Sequence, residues 1–245
     1  MSNASDLPNP AGWLQRIDHL GRTRPDVTLM LPYMSYLLLL SLVSVVPADW
    51  EWLAIVVRGV GSLAVVWLLR KHLPLGGKPY WLIAVAGGVF AAWMWYIGQC
   101  MFDGVGLGGR LPLYPGSKMV EDPRDLLGAG RLFWATAVLR ITVAVTAVPI
   151  VEEIFWRAFL LRAFINWNEF ERIPLGKFTL FSFIGTALLS TVQHPDNWGV
   201  SILCWLLFNA LFYWTRSVLC LVIVHAVTNF VLYVGVIRVG DWVFW

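Results

Sequence analysis

Runs of close to twenty mostly apolar residues, joined by short polar connections, recur along this 245-residue chain and leave it few ways to fold. They occupy Leu29 to Val46, Trp52 to Leu69, Trp81 to Phe102, Trp198 to Trp214 and Val218 to Ile237. Each is long enough, as an α-helix, to cross a hydrocarbon layer about 30 Å thick. A sixth run, Thr179 to Gln193, is shorter and stops at His194-Pro195-Asp196-Asn197. The remaining run, Leu132 to Phe164, would extend about 50 Å as one straight helix, and Pro149 interrupts it. It is either one kinked helix or two that meet near Pro149. With 58% hydrophobic and 13% charged side chains, the chain lacks the polar surface to enclose these runs as a soluble globule. The expectation is an all-α, polytopic bundle of seven or eight transmembrane helices: a single domain over residues 29–245, preceded by a polar segment at residues 1–28.

The loops orient it. Residues 1–26 carry Arg16, Arg22 and Arg24, and the 70–80 connection carries Arg70, Lys71 and Lys78, whereas Pro47 to Glu51 has neither Lys nor Arg. The positive-inside rule puts the first two in the cytoplasm, and the N-terminal segment has no cleavable apolar region. Trp50, Trp52, Trp81, Trp198, Trp242 and Trp245 sit near the ends of apolar runs, as interfacial anchors do. Cys100, Cys204 and Cys220 fall within apolar runs and are odd in number, so they read as small buried side chains rather than a disulfide framework. A net charge of +3 does not point to nucleic acid. Gly104, Gly106 and Gly109 match G-x-G-x-x-G, yet no strand precedes them, so a nucleotide site is rejected and the 103–131 connection reads as an extramembrane loop.

Against this apolar background, Glu152-Glu153-Ile154-Phe155-Trp156-Arg157 stands out. Carboxylates in hydrocarbon are costly unless paired or hydrated, which makes them functional candidates. On a helix, Glu153 and Arg157 share a face four residues apart, in the favourable order for an ion pair. Glu152 points about 100° away and has no such local partner. His225 and Asn229, also four apart, share one face of the last run, and His194 closes the sixth. Each alone has a plainer reading, as interhelical hydrogen bonding or capping. Together, one unpaired Glu, two His and an Asn supply what hydrolysis needs: a base for water, a partner to orient it, and oxyanion donors. Arg58 and Arg140 also lie in apolar runs, where snorkelling or pairing with a carboxylate is the structural expectation.

The order Glu152-Glu153-x-x-x-Arg157, a His at a helix end, then His225-x-x-x-Asn229 resembles the three-motif pattern of the CPBP family, the CAAX-protease and bacteriocin-processing membrane proteins, over about 132–245. Glu152 to Arg162, His225 to Asn229 and Gly240 to Trp245 further resemble a bacterial branch of CAAX prenyl protease-related proteins associated with exosortase systems. The resemblance implies an intramembrane glutamate protease of Rce1 type in a bacterial inner membrane, without a required metal or other cofactor, acting on a membrane protein or lipidated peptide. It implies Glu152 as general base, His194 as the residue orienting water, His225 and Asn229 as the oxyanion hole, and Glu153 with Arg157 as structural support. Ser190 departs from the pattern, standing where the second motif usually has an aromatic. Two other readings stay open: zinc hydrolysis with Glu152, His194 and His225 as ligands, and a non-catalytic scaffold or immunity-type protein.

Overall fold

The computed structural model describes residues 12–41, 45–111, 113 and 122–245, and the expectations for residues 1–11, 42–44 and most of 112–121 lie outside these. Every regular element among them is helical. The first two are α1 (Trp13–Thr23) and α2 (Pro25–Leu40), so helix begins within the segment read from sequence as polar and non-spanning. His72 Nε2 bonds Asp18 of α1 at 3.0 Å, and Pro25 opens α2 at the first helical position, where its fixed φ suits the turn. Next come α3 (Glu51–Leu69) and α4 (Trp81–Gly104), then a short α5 (Pro123–Leu127).

The long run is one bent element. It comprises α6 (Arg131–Val145), α7 (Ala147–Glu153), a π-helical stretch at Ile154–Leu160 and α8 (Leu161–Ala163). The break falls at Thr146 rather than at Pro149 itself, because the proline ring clashes with the carbonyl four residues back, at Val145. The chain closes with α9 (Leu180–Leu189), α10 (Trp198–Thr215) and α11 (Val218–Val239). Thr179 caps α9 by accepting from Ser182 N, and Ser217 caps α11 by accepting from Cys220 N. Ser217 also donates to Lys78 O, tying the start of α11 to the loop before α4.

The protein is a helical membrane bundle. Among the described residues, five helical elements are long and apolar enough to cross a bilayer: 48–69, 81–104, 131–163, 195–215 and 218–239; two shorter apolar ones, 25–40 and 180–192, accompany them. The surface agrees with that environment: Leu82, Trp93, Phe181 and Trp214 are exposed, while Arg157, Glu153 and Asn209 are fully buried.

Two sequence expectations change. Cys100 is exposed on the outer surface, unlike the buried Cys204 and Cys220, because its face of α4 turns away from the bundle. Trp242 is buried rather than interfacial, and Trp245 folds back with it onto Phe133 of α6 with ring centroids 6.0 and 6.3 Å away.

Candidate active site

Glu152 and Glu153 end α7, just before the π-helical stretch, a local widening that recurs at functional sites in other helices. Their surroundings differ. Glu153 is completely buried: its Oε2 lies 2.9 Å from Arg157 Nε, and its Oε1 accepts from His225 Nδ1 at 2.9 Å. Arg157 in turn donates from Nη1 to Asn209 Oδ1 at 2.9 Å and lies over the rings of Trp205 and Phe208. Asn209 Nδ2 donates to Phe183 O and Thr186 Oγ1, so the chain of polar contacts runs from α11 through α7 and the π stretch to α10 and α9. Hydrogen bonds to His225 and Asn209 offset part of the cost of burying this ion pair, while Arg157 Nη2 has no hydrogen-bond partner among the described residues.

Glu152 is almost as buried, at 3% exposure, yet has no cationic partner within salt-bridge distance among the described residues. Its Oε1 accepts a hydrogen bond from Gln193 Nε2, and its Oε2 has no hydrogen-bond partner among the described residues. Gln193 immediately precedes His194, so the bond draws the end of the α9 segment onto α7. The His194 ring packs edge-on against Trp95 of α4 at 5.1 Å and beside Trp205 of α10 at 5.5 Å. Ser190, the departure from the usual aromatic, shares a 2.7 Å hydrogen bond with Ser201 of α10 and so clamps the turn that carries His194.

On α11, His225 hands Nδ1–H to Glu153, since a carboxylate can only accept, and this directs Nε2 away from the ion pair. Asn229 donates one amide hydrogen to Ala144 O at 2.7 Å, a carbonyl beside the break between α6 and α7. Helices α4 and α11 approach closely at Gly88, where a Cβ would lie 2.6 Å from Val224 O and from Val227 Cβ; Thr228 Oγ1 bridges Gly88 O and Val224 O. That contact fixes the height and rotation of His225.

Glu152, His194, His225 and Asn229 all line one cavity of about 570 Å³, walled on the other side by Tyr33 and Leu37 of α2. A second cavity of about 330 Å³ shares His194, His225 and Asn229 and is closed by Trp242 and Trp245. Glu153 and Arg157 lie behind this wall rather than on it. Among the described residues no three His, Cys, Asp or Glu side chains are arranged to hold a metal ion. Gln193 and Asn209 escaped the sequence reading. The signal for Asn209 was present, an amide in the middle of an apolar helix, while Gln193 was masked by standing beside His194.

Comparison with protein families gives a match over residues 134–231, to the family described as Type II CAAX prenyl endopeptidase Rce1-like. Over that segment the chain is similar to the Rce1-like family. Glu152, Glu153, Arg157, His194, His225 and Asn229 all fall inside it. Neither curated proteins nor solved structures yield a match. The similarity supports a membrane-embedded protease, a hydrolase of peptide bonds, acting on membrane-associated substrates.

Proposed function

We propose that the protein is an intramembrane glutamate-type endopeptidase that cleaves a membrane-associated protein or lipidated peptide near its C-terminus. The observation that carries the reading is the contrast between adjacent carboxylates. Glu153 is tied to Arg157 and His225 away from the cavity, while Glu152 lines it with an oxygen that has no hydrogen-bond partner among the described residues.

Glu152 Oε2 takes a proton from water as the oxygen attacks the scissile carbonyl carbon, and His194 orients that water. The carbonyl becomes an oxyanion, which His225 and Asn229 receive. His225 already gives Nδ1–H to Glu153, so its Nε2 donates only when the ring is protonated, and the Glu153 carboxylate is placed to hold that imidazolium. Asn229 has its second amide hydrogen left for the same oxyanion. Collapse of the intermediate breaks the C–N bond, and the proton held by Glu152 passes to the leaving amine.

Zinc hydrolysis and a scaffold role give different results in one experiment. Purified protein should cleave a prenylated CAAX peptide in the presence of strong chelators, and Glu152→Gln should abolish cleavage with the fold intact, because an amide keeps the shape and cannot take the proton. His225→Ala and Asn229→Ala should each lower kcat by about 10²-fold, more than they raise KM. Loss of activity on chelation with recovery on adding zinc would establish the metal reading. Full biological activity of a folded, inserted Glu152→Gln protein would remove the enzyme reading.

A further inference from the structure

The catalytic cavity contains a charge that the proposed hydrolysis does not use. Arg58 of α3 lines it, is only 8% exposed, and has no carboxylate within ion-pairing distance among the described residues; its Nε has no hydrogen-bond partner there either. The other arginine on the cavity wall, Arg140, is already paired with Glu51 at 3.1 Å. The Arg58 Cζ lies over the ring of Tyr36, 5.1 Å from its centroid. That cation–π contact is no counterion, and a guanidinium fork matches a carboxylate bidentately. An unpartnered buried guanidinium is expensive to keep, and a ligand anion would compensate it.

We propose that Arg58 is the subsite for the free C-terminal α-carboxylate of the peptide substrate. This rests on the protease reading above and adds a specificity determinant to it. The position suits that role. Gly59 packs on Val143, beside Ala144 of the cavity wall, and Arg58, Ala144 and Glu152 all line the same cavity. Extended peptide advances about 3.3 Å per residue. A carboxylate held by Arg58 in the cavity that Glu152 also lines therefore places the scissile bond close to the chain end, with the apolar wall of α2 alongside. The matched family segment begins at 134, so Arg58 lies outside the part of the chain that carries the catalytic motifs.

The test uses full-length protein in detergent and two prenylated CAAX peptides of one sequence, one ending in a free acid and one in a carboxamide. Wild type should favour the acid by about 10- to 100-fold in kcat/KM, expressed mainly in KM, as expected for loss of a charge-assisted pair. In Arg58→Gln that ratio should collapse towards one, and Arg58→Lys, which keeps the charge without the fork, should recover part of it. Binding of the same peptides to Glu152→Gln should show the same preference. Acid bound in preference to amide but never cleaved by wild type would retire the protease reading and keep the subsite. Equal handling of acid and amide by wild type, or binding of neither, overturns the proposal. So does competition by phosphatidylglycerol in mixed micelles that vanishes in Arg58→Gln while acid and amide remain equal, which would assign the site to a lipid phosphate.

Discussion

Glu153 holds three helices at one point, because its two oxygens meet Arg157 on the same element and His225 on α11 while Arg157 passes the connection on to Asn209 of α10. Removing the charge leaves the Arg157 guanidinium buried without its counterion, which costs about 3–5 kcal/mol. Glu153→Gln should therefore lower the denaturation midpoint in detergent substantially, and it should reduce turnover as well, since His225 loses the group that orients it. Arg157→Lys should also be destabilising, because a point charge cannot reach Glu153 and Asn209 together as the planar fork does. An unchanged melting temperature for both variants would show that the pair contributes nothing to stability. The Glu153–Arg157 contact was readable from sequence because it is local, set by helical spacing alone. The bonds from Gln193 to Glu152 and from Arg157 to Asn209 were not, because partners on separate helices depend on how those helices are rotated and stacked.

Elements transmit this geometry through close packing rather than through further polar contacts. Helix α11 carries both His225 and Asn229, and its position against α4 is set where Gly88 admits the Val224 carbonyl and the Val227 side chain. Gly88→Ala forces α4 and α11 apart by overpacking, at about 1–3 kcal/mol, and moves His225 relative to Glu153. The expected outcome is a lower melting temperature together with a fall in kcat, read on the same purified protein; normal stability and normal turnover would show that α11 is held elsewhere. Helix content was legible because runs of apolar residues near membrane thickness have no other use here. The bend in the long run was legible as a choice between two arrangements, since Pro149 was visible, but the break at Thr146 and the π-helical stretch depend on packing around them. Helix α1 was missed because residues 13–23 are polar overall and too few to span, although Trp13, Ile17 and Leu20 recur at helical spacing as in an amphipathic helix.

At the scale of the whole molecule, the segment that carries the family match does not enclose its own site. Glu152, His194, His225 and Asn229 belong to residues 134–231, yet the cavity they face is walled by Tyr33 and Leu37 of α2 and by Arg58 of α3, and His194 leans on Trp95 of α4. Tyr33 also packs against Phe155, its ring centroid 4.8 Å away and tilted, within the π-helical stretch that follows the two carboxylates. A fragment comprising residues 131–245 should therefore insert into membranes without cleaving a CAAX peptide. Without α2 to α4, hydrocarbon or detergent would meet the Glu152 carboxylate, and no other wall would exclude it. Co-expression with residues 1–111 should restore both a cooperative melting transition and Glu152-dependent cleavage, since helices that fold separately in a bilayer can still associate through side-chain packing. Cleavage by the 131–245 fragment alone, abolished by Glu152→Gln, would show that α2 to α4 are dispensable for chemistry, and would leave Arg58 with no part in the site.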